Sequence, residues 1–218
     1  MLFRAVIFDL DGTLLDTLDD IADAMNGVLA ARGFPVHPVA AYRTFVGDGV
    51  RNLAERTLPA AHRDDDSVTR FTAELREAYA KNWNTKTRPY PGVPELLDEL
   101  ARRGVRLAVL SNKPHDFTVQ CVTELLPRWR FDVVLGHRDG EALKPDPAGA
   151  LEVIAKLGTD AKEILYVGDS GMDMETAVRA GVYPLGVLWG FRGGNELRLC
   201  GAKALVRDPL EILELGIG

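Results

Sequence analysis

From about residue 92 to residue 206, short apolar runs alternate with longer amphipathic stretches, and this rhythm leaves few folds open to the chain. The runs at 105–110 (VRLAVL), 131–135 (FDVVL), 164–167 (ILYV), 184–188 (PLGVL) and 204–206 (ALV) have the length and composition of strands. Between them, 93–103, 115–126, 147–157, 172–180 and 195–199 carry helical spacing. Strands separated by helices pair in parallel, so the pattern predicts an α/β architecture with helices on both faces of one sheet. Gly104, Gly158 and Gly181 stand where three of those helices should stop.

Residues 16–88 break the rhythm. Leu18, Ile21, Met25, Val28 and Leu29, and later Phe71, Leu75, Ala78 and Tyr79, repeat at helical intervals with almost no strand-like run between them. The chain rejoins its alternation at Arg88-Pro89-Tyr90-Pro91-Gly92, a joint suited to a linker. An all-helical insertion at 16–88 is therefore expected inside a core made of 1–15 and 89–218. Placed beside a reactive loop, it can close over a site and exclude water, or pack as a subdomain without gating. The run Asp64-Asp65-Asp66 reads as a solvated helix start.

The chemistry is announced at the first apolar run, Val6-Ile7-Phe8, which leads into Asp9-Leu10-Asp11-Gly12-Thr13. Two carboxylates two residues apart share a face of an extended chain, and Gly12 supports a sharp turn just beyond them. A turn of this kind holds one carboxylate as an attacker and aims the other at a leaving group. Crowded carboxylates repel at neutral pH, and a hard divalent cation with oxygen ligands relieves that repulsion. A helix cap or a solvated Asx turn is the competing reading of these residues taken alone.

Later strands also end in polar groups. Ser111-Asn112-Lys113 follows 105–110, and a hydroxyl with backbone N–H groups at the mouth of the next helix is suited to phosphate oxygens. Lys144 stands between Leu143 and Pro145-Asp146-Pro147, where the prolines restrict the backbone around a compact positive charge. Gly168-Asp169-Ser170-Gly171-Met172-Asp173 closes 164–167, with acids at i and i+4 that can face one way on a helix. In an open parallel sheet ligands bind outside the carboxyl ends of the strands, so the four groups are expected in one crevice.

Composition narrows the partners. The net charge of −6 argues against a general nucleic-acid binder, and no apolar stretch reaches membrane-spanning length. The apolar start, 1–8, has strand length and lacks a secretion signal's cleavage pattern. Only Cys121 and Cys200 are present, far apart and without metal-type spacing, so reduced thiols in a cytoplasmic protein are expected.

In order, Asp9-Leu10-Asp11-Gly12-Thr13, Ser111-Asn112, Lys144-Pro145 and Gly168-Asp169-Ser170 with Asp173 resemble the four motifs of the haloacid dehalogenase-like phosphohydrolases. The resemblance covers nearly the whole chain. It implies a Rossmann-like three-layer core, with 16–88 as a helical cap of the family's first type. It implies Asp9 as nucleophile through an aspartyl-phosphate, Asp11 as acid and base, and Ser111, Asn112 and Lys144 as a phosphate cradle. Mg²⁺ would be held by Asp9, Asp169 and the Asp11 backbone carbonyl, with Ser170 and Asp173 behind them. Asn112-Lys113-Pro114, the run 136–140 and Trp189-Gly190-Phe191 further resemble phosphoglycolate phosphatases. That makes the expected substrate a small phosphate monoester, with 2-phosphoglycolate first. Pyrophosphate, nucleotide and sugar-phosphate phosphatases, or a sugar-phosphate mutase, remain alternatives within the family, and a non-catalytic phosphate-binding module is the alternative outside it. The loop 45–51 resembles the family's specificity loop, which implies Gly47, Asp48, Gly49 and Arg51 as specificity residues: Gly47 and Gly49 permit close backbone approach, and Arg51 is expected either to grip a substrate carboxylate or to lie exposed on a helix. No lysine precedes Lys81, which leaves the cap lysine of phosphonate-cleaving relatives hard to place. A monomer or homodimer is expected.

Overall fold

The computed structural model describes residues 2–218. Strand β1 (Ala5–Phe8) opens the chain and a two-residue strand β2 (Leu15–Asp16) leads out of it. Four helices follow: α1 (Leu18–Ala31), α2 (Val39–Phe45), α3 (Val50–Thr57) and α4 (Asp65–Asn82). Strand β3 (Arg88–Pro89) brings the chain back by pairing antiparallel with β2. Alternation then holds to the end, through α5 (Val93–Arg102), β4 (Arg106–Pro114), α6 (His115–Leu125), β5 (Val133–His137) and α7 (Ala148–Leu157). It finishes with β6 (Ile164–Gly168), α8 (Gly171–Ala180), β7 (Tyr183–Val187), α9 (Gly194–Leu199) and β8 (Ala204–Val206).

Six strands form one parallel sheet in the order β5-β4-β1-β6-β7-β8, so the α/β reading holds. Central strands buried on both faces read as continuous apolar runs, and β1 shows why. Val6 and Phe8 point to one layer with Leu107, Val109, Leu165 and Val167. Ala5 and Ile7 point to the other with Ala108, Leu110, Ile164 and Tyr166. Each large side chain buried in this way contributes about 1.5–3 kcal/mol. The three glycines expected to stop helices all adopt positive φ, at 71°, 60° and 75° for Gly104, Gly158 and Gly181. The acidic run starts α4 as expected, with Asp64 accepting from the Ser67 N–H.

One boundary differs with consequence. Strand β4 does not end at Leu110 but continues to Pro114, with its pairing to β5 shifting register between Leu110 and Pro114. Ser111 and Asn112 therefore lie on extended chain, short of the mouth of α6, which begins at His115. The apolar pattern gave no sign of this extension, because Ser111, Asn112 and Lys113 are polar yet buried.

Candidate active site

Asp9 follows β1 directly, and its N–H donates to the Val167 carbonyl at 2.9 Å, so the sheet fixes where its carboxyl points. Gly12 turns the chain with φ 87° and donates to Leu15 O at 2.9 Å. A side chain at Gly12 would run into Asp169. The tight turn thus brings the first loop against the end of β6, and Thr13 Oγ1 reaches Asp169 Oδ1 at 3.3 Å.

Four side chains from three segments meet there: Asp9 beyond β1, Lys144 from the loop between β5 and α7, and Asp169 with Asp173 beyond β6. Lys144 Nζ lies 2.9 Å from Asp9 Oδ1 and 2.6 Å from Asp173 Oδ1, with only 4% of its side chain exposed. Carboxylate oxygens of Asp9, Asp169 and Asp173 all lie within 4.8 Å of one another. Asp173 also accepts from the Ser170 hydroxyl at 2.6 Å and the Ser170 N–H at 3.0 Å. Ser170 caps α8, and Asp173 completes its capping box. The two acids of this segment therefore converge through a cap. The expected i, i+4 helical stacking is corrected, because Asp169 precedes the cap and lies outside the helix.

Electrostatics follow from burial. Desolvation pushes the Asp9 carboxyl up to about 7, Lys144 pulling against that rise and Asp173 adding to it. Burial likewise raises Asp169 well above its ordinary value, with Asp173 and Asp9 adding to the rise and the Phe191 N–H, donating at 2.7 Å, opposing it. For Lys144, burial disfavours the charge, yet Asp173 and Asp9 outweigh it and hold the ammonium protonated. Three acids face one cation here. Asp9 Oδ1 also lacks a well-directed hydrogen bond despite its closeness to Lys144. A buried, under-satisfied set of hard oxygen donors is the chemistry that fits Mg²⁺.

Asn112 ties the site together. Its carbonyl oxygen accepts from the Lys144 N–H at 2.8 Å, and its amide donates to Lys144 O at 3.2 Å and to Gly47 O at 2.9 Å. Ser111 is buried beside it, and its hydroxyl accepts from the Lys113 N–H at 3.3 Å. Asp9, Asp11, Ser111, Asn112, Lys144, Asp169 and Ser170 share a cavity of about 90 Å³, room for a ligand of a few heavy atoms, and Gly47 and Gly49 line its helical side.

Two expected residues do not reach that cavity. Arg51 points outward, paired with the exposed Asp65 at 2.7 Å and donating to Thr69 at 3.1 Å, so of its two expected placements it takes the exposed one and not the carboxylate grip. Asp48 is ion-paired with Arg56 and does not line the cavity either. The cations that do line it beside Lys144 are Arg76, Lys113 and Arg192. Lys113 lies 3.0 Å from Asp11 Oδ1 and donates to the Tyr79 hydroxyl at 2.8 Å. The signal for Lys113 was its place in Ser111-Asn112-Lys113, directly after a buried strand. Arg76 gave no such signal, since on α4 it reads as one more solvated charge.

The segment Trp189-Gly190-Phe191 closes the back of the site. Besides the Phe191 N–H on Asp169, Trp189 Nε1 donates to Thr13 O at 3.0 Å. A side chain on Gly190 would collide with Asp169 and with Gly12 O. The helical segment grips the same stretch: Arg43 donates to Gly190 O at 3.0 Å, and Arg192 donates to Thr44 O and Val46 O, each at 3.2 Å.

This fold and this crevice match known proteins. The family model of the haloacid dehalogenase-like hydrolases matches residues 6–187. A phosphoglycolate phosphatase of Yersinia pestis is 35% identical over 198 residues, covering 89% of this chain and 84% of that one. Another from Pseudomonas putida is 34% identical over 214 residues, covering 96% and 78%. The crystal structure of a provisionally assigned phosphoglycolate phosphatase from Lactobacillus delbrueckii superposes with a TM-score of 0.92 at 32% identity, covering 100% of both chains. The chain belongs to the haloacid dehalogenase-like hydrolases. Within them it stands in the phosphoglycolate phosphatase-like subgroup, whose members here are phosphoric monoester hydrolases.

Proposed function

We propose that this protein is a Mg²⁺-dependent phosphatase that hydrolyses a small phosphate monoester, 2-phosphoglycolate first among candidates, through an aspartyl-phosphate on Asp9. The observation that carries the reading is Lys144 held between Asp9 and Asp173, with Asp169 within reach of both. Asp9 attacks phosphorus in line, and splitting the hydrolysis into two displacements lowers each barrier. Asp11 gives its proton to the leaving oxygen and then takes one from the water that clears the intermediate. Lys144, Ser111 and Asn112 hold the transferring oxygens and stabilise the charge that builds there. Asp9, Asp169 and the Asp11 backbone carbonyl hold the metal. When bound, Mg²⁺ cancels the repulsion between an anionic nucleophile and an anionic substrate.

Residues 16–88 act as a cap on the core of 1–15 and 89–218. The paired strands β2 and β3 form its neck, and Arg43, Arg192 and the Gly47 carbonyl fasten it in the closed arrangement. A cap that shuts out water keeps the phosphorylated aspartate from premature hydrolysis. Cys121 and Cys200 are both free, which suits a reducing cytoplasm.

Screening 2-phosphoglycolate, pyrophosphate, nucleoside monophosphates and hexose phosphates with Mg²⁺ tests the reading. Release of inorganic phosphate, with 2-phosphoglycolate highest in kcat/KM and activity lost on chelation, is expected. Isomerisation of a hexose phosphate without phosphate release would point to a mutase, and inactivity of well-folded protein on every ester to a binding module.

Metal-free protein carries a second signature. Asp9 holds its proton to about pH 7 when folded and releases it near 4 when unfolded, so between those values the folded state binds more protons. Stability of the metal-free protein therefore falls as pH rises from about 4 to 7, and Asp169 pushes the same way. Mg²⁺ favours the ionised carboxylates, so its stabilising effect is larger at pH 7.5 than at pH 5.5. Thermal melts in EDTA and in MgCl₂ at both pH values measure this, and an equal or reversed difference would remove Asp9 from the metal site.

A further inference from the structure

Among the described residues, Lys113 is the one buried cation lining the cavity that the proposed chemistry does not use. Its side chain is 5% exposed, and its ammonium meets groups from two separate parts of the fold. On one side is Asp11, whose two carboxylate oxygens lie 3.0 and 3.3 Å from Nζ. On the other is the Tyr79 hydroxyl on α4, accepting at 2.8 Å, with the Tyr79 ring 4.6 Å from the ammonium. Tyr79 is itself fixed, since its ring meets Phe117 of α6 edge-on at 5.2 Å.

An ammonium has three donors and no acceptor, so with a carboxylate and a phenol both in place its direction is set. Asp11 sits beyond the end of β1 next to the Gly12 turn, and its side chain, 12% exposed, holds both carboxylate oxygens against the Lys113 ammonium. Lys113 reaches it from the polar extension of β4.

We propose that Lys113 is a positioning residue that aims the Asp11 carboxyl at the leaving-group oxygen, and that Tyr79 aims Lys113 from the helical segment. This rests on Asp11 acting as acid in the phosphatase reading above. No bond beyond that reading is made or broken. Asp11 still supplies the proton, and Lys113 and Tyr79 keep theirs.

Proton donation matters most for a poor leaving group, so the effect of losing the aim depends on the substrate. A merely structural role for Lys113 would lower turnover of all esters alike. The test compares kcat/KM, which reports the steps through departure of the leaving group, on an alkyl phosphate and on 4-nitrophenyl phosphate. For Lys113→Met a loss of about 100-fold is expected on the alkyl ester and under about 10-fold on the aryl ester, within the range that general acids contribute. Tyr79→Phe deletes one hydroxyl from an otherwise unchanged ring, and should lower the alkyl-to-aryl ratio by about 3- to 10-fold. It decides the matter if Lys113→Met does not fold. Equal losses on both esters in an active background would overturn the positioning role and leave the phosphatase reading standing. A wild-type protein inert on both esters with Mg²⁺ would overturn the phosphatase reading, and the positioning role with it.

Discussion

Asp9→Asn yields a folded protein whose steady-state turnover falls by at least about 10⁴-fold, in line with what removal of a nucleophile costs other hydrolases. The amide keeps the shape of the carboxyl but cannot form the acyl phosphate, so no burst of leaving group should appear when enzyme and substrate are mixed at comparable concentrations. Folding should survive the change, because the carboxylate is an electrostatic burden in the metal-free state. Burial and the neighbouring Asp173 disfavour its charge, as its rise to about 7 records. An asparagine carries no such burden, and Lys144 retains Asp173 at 2.6 Å. The melting temperature in EDTA at pH 7.5 should therefore equal or exceed that of the wild type. Residual turnover above about 1% of wild type, in preparations free of deamidated protein, would assign the nucleophile to another group.

The fold was legible because its signals are local. A central parallel strand covered on both faces must be apolar throughout, and Ile164–Gly168 is buried along its whole length. The strand end at Asp9 was plain as well, although a helix cap or a solvated turn competed for Asp9 and Asp11 taken alone. What escaped reading depends on contacts between distant segments. Arg51 beside Gly47 and Gly49 read equally as a carboxylate grip or as an exposed helical charge, and the choice is made by α3 turning it toward Asp65 at the start of α4, a pairing no local pattern encodes. The extension of β4 was hidden because Ser111, Asn112 and Lys113 are polar, while their burial comes from partners at Gly47, Lys144, Asp11 and Tyr79. The convergence of Asp169 with Asp173 was anticipated for the wrong reason: spacing suggested a helix face, and a capping box did the work.

Lys144 shows how structure and catalysis divide within one side chain, and Lys144→Met is expected to damage both. The ammonium neutralises Asp173, which is fully buried, and its loss strands that charge against hydroxyl and N–H partners alone. Removing one partner of a buried ion pair costs about 3–5 kcal/mol, which for a chain of this size lowers the melting temperature by on the order of 10 °C. Turnover should fall by about 10²- to 10³-fold through the missing contact to the transferring oxygens. The two losses are separable. Adding Asp173→Asn removes the stranded charge while keeping a side chain that bonds Ser170, so Lys144→Met/Asp173→Asn should recover most of the stability and none of the turnover. Sites in contact are not additive, and this coupling should appear in the melts and be absent from the kinetics. A double variant that regained activity along with stability would make Lys144 a strut for Asp173, and the phosphate cradle would then have to be built from Ser111 and Asn112 without it.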